Sequence, residues 1–178
     1  MEGKRLFIAL PVTGDLAQSA LSWQNNHFGW PVRWLEGENL HITVISPWLE
    51  EDIDSLVAKL DDFVKEAREG VRLNFNKVVW GPNRFNPRLI WAEGKAPVSL
   101  LELKNRLEQS LAKPDNRFYR LHLTLARFDV KDFGPAGLPH LFDAIDWNEE
   151  IKTFSLFESE IGPDGPKYKK IKDFVFAS

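Results

Sequence analysis

Apolar residues recur along this chain with two different periods, and the changes of period divide it into elements. Arg5 to Leu10 is a short, mostly apolar run that predicts a strand, and Thr13 stands where it can cap a following amphipathic helix. From Glu50 to about Glu69, apolar residues three and four positions apart predict a second helix, which Gly70 ends. The first part of the chain therefore alternates strands with helices.

The middle of the chain predicts a hairpin followed by a helix. Residues 71–80 alternate between apolar and polar side chains, and Arg88 to Ala92 forms a second short strand after the turn at Gly81-Pro82-Asn83. Pro97 is accepted at a helix N-terminus, and the leucine stripe that follows it stops before Pro114. A second strand-rich region therefore precedes the third predicted helix.

The last third of the chain predicts mainly strands. Gly134 to Pro139 resembles a loop, and no strand is assigned between it and residue 152. Thr153 to Ile161 and Lys167 to Phe176 are predicted strands on either side of the turn Gly162-Pro163-Asp164-Gly165. We therefore expect a C-terminal hairpin.

One five-residue phrase occurs twice. Leu40-His41-Ile42-Thr43-Val44 is followed 81 positions later by Leu121-His122-Leu123-Thr124-Leu125. Because alternate side chains of a strand point to opposite faces, each copy predicts a strand with His and Thr on one face and three aliphatic residues on the other. The first copy continues its alternation into Ile45. Each copy falls after a helix, so we interpret the chain as a duplicated α+β unit in which each half supplies one such strand.

Composition limits the classes of protein to consider. With 178 residues, 43% of them hydrophobic, the chain can bury a substantial core as one compact domain or two small lobes. The absence of cysteine excludes disulfides, thiolate zinc sites and cysteine nucleophiles. The first apolar run is too short for a signal peptide and no stretch approaches a membrane span, so we expect a soluble, cytoplasmic protein without a membrane partner.

The net charge of −3 argues against broad, non-specific binding of long duplexes. A small anionic ligand, or the end of an RNA strand, needs only a local positive charge. Arg127, three residues after Thr124, could supply it to a bound phosphate. Trp48, soon after the first phrase, could stack on a base.

The repeated phrase has the chemistry of acid–base catalysis on a phosphate. If the two strands face each other across a groove, His41 and His122 flank a common point, with Thr43 and Thr124 beside them. Same-face neighbours on a strand lie about 6.6 Å apart, so each pair can straddle a phosphate-sized group. One imidazole can take a proton from water while the other gives one to the leaving oxygen, and the hydroxyls can donate to the remaining oxygens. A bell-shaped pH profile is expected.

The histidines of this chain could also be ordinary strand residues, structural residues or metal ligands. A single His-x-Thr is ordinary strand composition, but two copies in corresponding positions favour catalysis. His27 and His140, in an aromatic loop and after a Gly- and Pro-rich turn, are interpreted as structural. Neither phrase brings a nearby carboxylate or thiolate, and the spacing does not match zinc patterns, so no metal or other cofactor is expected.

Two His-x-Thr phrases about eighty residues apart resemble the two-histidine (2H) phosphoesterase superfamily, and more closely its LigT-like branch, the RNA 2′,3′-cyclic phosphodiesterases, also called 2′-5′ RNA ligases. The resemblance spans nearly the whole chain. It includes the opening strand at residues 5–10, the lead into the first phrase at Val32-Arg33-Trp34 and Glu38-Asn39, the trailing Arg127, and the last strand with Gly165-Pro166 and Tyr168.

This resemblance implies a single domain over residues 1–178, with two lobes, two antiparallel sheets, outer helices and a central cleft lined by both phrases. It also implies metal-independent opening of a 2′,3′-cyclic phosphate at an RNA end to leave a 2′-phosphate, with His122 as the base and His41 as the acid. Thr43, Thr124 and Arg127 would hold the phosphate. Tyr168 joins Trp48 as a candidate for stacking on a base.

The sequence departs from the family at one place and leaves alternatives open. Family members often follow the first phrase with a Phe-Leu-Gly-like segment, where this chain has Ser46-Pro47-Trp48. The expected partners are RNA ends or small cyclic nucleotides, and the protein is expected to be a monomer. Action on 2′-5′ oligonucleotides, reversible 2′-5′ RNA ligation and non-catalytic binding of RNA ends remain alternatives.

Overall fold

The computed structural model describes residues 3–67, 70–162 and 165–177 and contains two antiparallel sheets with helices packed against them. The strands are β1 Lys4–Pro11, β2 Arg33–Trp34, β3 His41–Glu50, β4 Val71–Gly81, β5 Leu89–Gly94, β6 Leu121–Arg127, β7 Phe142–Ile151, β8 Thr153–Gly162 and β9 Gly165–Val175. The helices are α1 Gly14–Asn26, α2 Ile53–Glu66 and α3 Val98–Leu111, with 3₁₀ turns at Gly37–Asn39 and Val130–Ala136.

The strands form two sheets, and each sheet combines strands from the N-terminal and the C-terminal halves of the chain. The first sheet has the order β3-β1-β8-β9 and the second has the order β2-β6-β5-β4-β7. β3, which carries the first phrase, is an edge strand, and β6, which carries the second, lies beside the two-residue strand β2. The predicted α+β fold with two antiparallel sheets, outer helices and a central cleft is confirmed.

The helices form where the apolar stripes predicted them, with differences at their ends. α2 begins at Ile53, three residues later than predicted, because the Asp52 carboxylate accepts a hydrogen bond from the backbone N–H of Ser55 and caps the helix. Its last residue is Glu66, and the predicted end at residue 69 lies outside the described residues. Thr13 occupies the N-cap position of α1, but its side chain makes no capping hydrogen bond, so that prediction was wrong.

β7, at residues 142–151, was not predicted from the sequence. Within the described part of the chain this strand pairs only with β4, at the edge of the second sheet, and Ile151 is its one buried residue. A strand with so little burial lacks the strong apolar alternation by which strands are recognised. The C-terminal hairpin forms as predicted, with Gly162 paired to Gly165; the two central residues of its turn lie outside the described residues.

β1 has buried residues on both of its faces. Leu6, Ile8 and Leu10 point into the main core, which the two sheets and the helices share. Phe7 and Ala9 point the other way and form a second small apolar cluster with Phe157 of β8. This second cluster supports the polar face of the neighbouring strand β3.

Register shifts between β1 and β3 break the simple alternation after the first phrase. Thr43 lies opposite Ala9, whereas Ile45 lies opposite Ile8 and Trp48 lies opposite Leu6, both core-facing residues of β1. Ile45 is accordingly buried. An unbroken alternation would have placed it on the face of His41 and Thr43.

No helix among the described residues combines the length and the apolar character needed to cross a membrane.

Candidate active site

Both repeated phrases line one cleft of about 290 Å³. His41 and Thr43 reach it from β3, and His122 and Thr124 reach it from β6. Its other lining residues are Arg5, Phe7, Pro47, Leu89, Arg127, Ser159, Pro166 and Tyr168. The structure therefore brings together six of the seven residues singled out in the sequence, all except Trp48.

The two imidazoles are oriented by the same local hydrogen bond. The Nδ1 atom of His41 lies 2.7 Å from the carbonyl oxygen of Asn39, and that of His122 lies 2.8 Å from the carbonyl oxygen of Arg120. A carbonyl oxygen can only accept, so in each ring Nδ1 carries the hydrogen and the neutral ring keeps its lone pair on Nε2. Each phrase therefore presents an imidazole ready to accept a proton.

Aromatic rings pack against both histidines. The ring centroids of Phe7 and Tyr168 lie 5.1 Å and 4.9 Å from that of His41, and the ring of Trp91 lies 4.5 Å from that of His122. These rings exclude water from the imidazoles, and desolvation disfavours their charged forms.

Burial is the main reason that the pKa of each histidine is low. The pKa of His41 is lowered to about 4, mainly by burial and also by the charge of Arg127, against the opposing effect of the Asn39 hydrogen bond. Burial also lowers the pKa of His122, although the carbonyl of Arg120 and the charge of Glu93 oppose it. Both imidazoles are therefore mainly neutral in the free protein at neutral pH.

The two halves of the site differ in their neighbours. In the β5–β6 pairing His122 lies opposite Glu93, whereas in the β1–β3 pairing His41 lies opposite Pro11. The Glu93 carboxylate accepts a hydrogen bond of 2.9 Å from Nη2 of Arg120. The second half of the site therefore has a carboxylate beside its histidine that the first half lacks.

Arg127 and Tyr168 connect the two sheets at one end of the cleft. Nη2 of Arg127 donates a hydrogen bond of 3.1 Å to the hydroxyl of Tyr168, which joins β6 of one sheet to β9 of the other. Arg127 lowers the pKa of both histidines through its charge, so it is electrostatically coupled to both. A fixed cation in this position favours an anion bound between the imidazoles.

Trp48 lies outside the cleft, so the structure does not bring it together with the other predicted site residues. Its Nε1 atom donates a hydrogen bond of 3.1 Å to Glu50, and the ammonium of Lys113 lies 5.8 Å from its ring. The register shifts turn its ring toward the core side of β3, and it lines a separate pocket at the start of α2. Pro47 lines the cleft instead, and Tyr168 stays a candidate for base stacking.

Sequence reasoning missed Arg5 and Phe7 as cleft residues. Arg5, Phe7 and Ala9 alternate with the core-facing residues of β1, so they share its other face. In the sequence, the polar residue Arg5 at the start of an apolar strand was the only indication of a second, functional face on β1. It could not be interpreted because the sequence did not show that β1 pairs with the strand carrying the first phrase.

The cleft opens into further pockets on two sides. One, of about 380 Å³, shares His122, Thr43 and Leu89 with it and is bordered by Phe118, whose side chain is 91% exposed. The other, of about 440 Å³, shares Arg127, Pro166 and Tyr168. The space around the two histidines is thus a groove open at both ends.

The remaining two histidines lie outside the cleft. His27 stacks on Trp23 at 3.9 Å and its Nδ1 atom is 2.8 Å from the carbonyl oxygen of that residue. His140 is exposed. Within residues 3–67, 70–162 and 165–177, no three His, Asp or Glu side chains are grouped so that they could hold a metal ion.

Residues 29–157 match the family model of the 2′-5′ RNA ligase superfamily. The chain belongs to this superfamily. The matched region contains both His-x-Thr phrases, so the family assignment rests on the part of the chain that forms most of the cleft.

This member of the 2′-5′ RNA ligase superfamily is similar to two archaeal proteins and to one solved structure over almost its full length. It is 27% identical over 176 residues to an RNA 2′,3′-cyclic phosphodiesterase of Archaeoglobus fulgidus, covering 96% of this chain and 99% of that protein. It is 25% identical over 177 residues to an RNA 2′,3′-cyclic phosphodiesterase of Methanocaldococcus jannaschii, with the same coverage. The structure of Escherichia coli LigT in apo form covers 100% of both chains with a TM-score of 0.77 at 19% identity, which shows a shared fold.

Proposed function

We propose that this protein hydrolyses the 2′,3′-cyclic phosphate at an RNA end to a 2′-phosphomonoester, by a metal-independent mechanism that uses His41 and His122 as acid and base. The observation that carries the proposal is that both imidazoles, each with its Nδ1 atom held by a backbone carbonyl, line one cleft with two threonines and Arg127. The names of the full-length relatives from Archaeoglobus fulgidus and Methanocaldococcus jannaschii support the same substrate.

The proposed reaction uses one imidazole on each side of the phosphorus. The oxygen of a water molecule attacks phosphorus as Nε2 of His122 takes its proton. The bond from phosphorus to O3′ breaks, and protonated His41 gives its proton to that oxygen. The product carries a 2′-phosphate and a free 3′-hydroxyl, and one proton passes from His122 to His41 through solvent before the next turnover.

The anionic substrate supplies the protonated histidine that this scheme requires. Both histidine pKa values are low in the free protein, mainly because the rings are buried. A phosphodiester anion beside an imidazole favours the charged form of that ring and raises its pKa. We therefore expect the acid to be protonated on substrate binding and not before.

The threonines and Arg127 hold the phosphate during this reaction. The hydroxyls of Thr43 and Thr124 donate to the non-bridging oxygens, on which negative charge grows as water attacks. The guanidinium of Arg127 offsets the charge of the same group. The groove on both sides leaves room for the rest of the RNA strand.

A product assay tests this function. An RNA ending in a 2′,3′-cyclic phosphate is incubated with the protein in EDTA, and the 2′ and 3′ monophosphate products are separated. His41→Ala and His122→Ala should each lower kcat by at least about 100-fold. His140→Ala, at an exposed histidine outside the cleft, should keep the wild-type rate.

Four outcomes contradict the proposal. Full activity in either cleft variant rules out the two-histidine mechanism, and a 3′-phosphate product rules out the regiochemistry. Activity that EDTA removes and an added metal restores indicates metal-assisted hydrolysis. Tight binding of the RNA with no product in a single turnover identifies a non-catalytic binder.

Reversible 2′-5′ ligation is a second candidate activity. In it, the 5′-hydroxyl of another RNA replaces water as the nucleophile on the His122 side of the phosphorus. The pocket of about 380 Å³ beside His122 gives such an end a place to bind. Joining of a 5′-hydroxyl RNA to a cyclic-phosphate RNA, lost in His122→Ala, would support it, and the lack of any joined product at high RNA concentration would exclude it.

A further inference from the structure

β3, the strand that carries the first phrase, is the outer strand of the first sheet. Among the described residues it pairs only with β1, so its other edge has no strand partner there. Backbone groups on the other edge of such a strand must find partners elsewhere. The carbonyl oxygen of Thr43 is one of them, and it accepts a hydrogen bond of 2.8 Å from the hydroxyl of Tyr119.

This bond joins the two halves of the site directly. Tyr119 lies three residues before His122, in the segment that enters β6, and Thr43 lies two residues after His41. The phenol ring is half-buried, and burial raises the pKa of Tyr119. The hydroxyl therefore keeps its proton and stays a hydrogen-bond donor over the whole pH range in which the histidines titrate.

The segment that carries Tyr119 is itself held in place. Nε of Arg117 donates a hydrogen bond of 2.8 Å to the carboxylate of Asp115, and Nη2 of Arg117 donates one of 2.8 Å to Oγ of Ser46 in β3. The backbone N–H of Asp115 donates to the carboxylate of Glu108 in α3 at 3.2 Å. Tyr119 thus projects from a segment anchored to both β3 and α3, and its hydroxyl has a defined position.

We infer that Tyr119 is a positioning residue whose hydroxyl sets the separation between the His41 half and the His122 half of the site. This inference rests on the proposed two-histidine function. In-line attack needs both imidazoles at defined places on opposite sides of one phosphorus, and small displacements of catalytic groups lower the rate steeply. The hydrogen bond from Tyr119 acts on the backbone between the two half-sites, so its loss changes their separation without removing any group that contacts the phosphate.

Tyr119→Phe tests this inference, because it removes the hydroxyl and keeps the ring. We expect kcat on cyclic-phosphate RNA to fall by roughly 10-fold or more, and any rise in KM to be smaller than the fall in kcat. The matched control is Ser155→Ala. Ser155 is fully buried and its hydroxyl bonds to Asp173 within the first sheet, so its loss costs a buried hydrogen bond but leaves the separation of the half-sites unchanged.

The two variants are compared at a temperature well below the melting point of each. A kcat loss confined to Tyr119→Phe supports the inference. Unchanged kcat in Tyr119→Phe, or an equal loss in Ser155→Ala, overturns it, because the effect would then be absent or a general consequence of lower stability.

Phosphate binding gives a second measurement that does not depend on turnover. Inorganic phosphate is titrated calorimetrically into wild type, Tyr119→Phe, His41→Ala and the double variant. If the hydroxyl sets the separation of two half-sites that share one anion, Tyr119→Phe weakens binding in wild type but adds no further loss once His41 is gone. Equal losses in both backgrounds overturn the inference.

The two measurements separate failure of this inference from failure of the proposed function. Wild-type protein that forms no product from cyclic-phosphate RNA contradicts the proposed function. The phosphate titrations still decide, in that case, whether Tyr119 sets the separation of the half-sites.

Discussion

Arg127 donates a hydrogen bond to the hydroxyl of Tyr168 across the cleft, from the strand that carries the second phrase to the last strand of the other sheet. The guanidinium therefore stands beside both imidazoles, and its charge lowers the pKa of each. Only the second phrase is followed by such an arginine. The two halves of the site share one fixed cation, which ties the binding of an anion to the ionisation of both histidines.

Replacing Arg127 by Gln removes this cation. We expect the pKa values of both His41 and His122 to rise, since a nearby positive charge disfavours the imidazolium, and KM for cyclic-phosphate RNA to rise about 10-fold or more because a charged hydrogen bond to the phosphate is lost. Proton NMR titration and steady-state kinetics measure the two effects. Arg72→Gln, at an exposed arginine of β4, should change neither, and histidine pKa values that stay at wild-type positions in Arg127→Gln would contradict the coupling.

Tyr168 and Trp48 are the two aromatic residues predicted to stack on a base, and variants of the two can be compared directly. Tyr168→Ala removes a ring that lines the cleft and should raise KM for RNA by roughly 10-fold, the size of effect expected for one base on one aromatic platform. Trp48→Leu should leave KM unchanged because Trp48 lines a separate pocket. Tyr168→Phe, which keeps the ring, separates stacking from the hydrogen bond to Arg127. A larger KM effect at Trp48 than at Tyr168 would refute this placement.

The threonine hydroxyls should act on the rate. Thr43→Val and Thr124→Val keep the branched shape that suits a strand and remove one donor each, so kcat should fall by about 100-fold in each while the fold is kept. Thr43→Ser and Thr124→Ser retain the hydroxyl and should recover most of the loss. Circular dichroism checks the fold of the valine variants, and wild-type kcat in either of them would show that its hydroxyl does not contact the reacting phosphate.

The low pKa of His41 predicts how stability depends on pH. The folded value is about 4 and the ordinary value is 6.5, so between these two pH values the unfolded chain binds more protons than the folded protein. Stability contributed by neutral His41 is therefore complete above pH 6.5 and is lost as the pH falls toward 4. His122 contributes in the same direction, because its pKa is also lowered.

Urea unfolding at pH 7 and pH 5 measures this dependence. The free energy of unfolding should fall between the two values in wild type and should fall less in His41→Gln, which cannot take up the proton. His140→Gln, at an exposed position, serves as the control and should behave as wild type does. An equal loss of stability in His41→Gln and wild type would show that the pKa of His41 is not lowered in the folded protein.

The sequence predicted most of the fold because most elements carry a strong local period. The stripe that includes Leu56 and Leu60 placed α2 within a few residues, and the alternation from Val71 placed β4. The sequence did not predict β7 because this strand has no strong local period of apolar residues. It is an edge strand with one buried residue, and its pairing with β4 does not require a regular apolar pattern in its own sequence.

The sequence also predicted which residues line the site more reliably than it predicted their ionisation. The two-residue period of a strand places His41 with Thr43, and His122 with Thr124, on one face whatever the rest of the chain does. The depressed pKa values come from rings remote in sequence, such as Phe7 and Tyr168 against His41. From the sequence alone, only the unperturbed pKa of a histidine could be assumed for His41 and His122.

The sequence by itself determined that this chain carries two similar half-sites, because the polar face of a strand is fixed by local backbone geometry. Tertiary structure decided how the half-sites meet. The pairing of β1 with β3 turns Trp48 away from the cleft, and the placement of the two sheets brings Arg127 of β6 to Tyr168 of β9. The outer edge of β3 leaves the carbonyl oxygen of Thr43 free to accept a hydrogen bond from Tyr119. These relationships depend on strand register and on contacts between residues far apart in the chain, which no local pattern encodes.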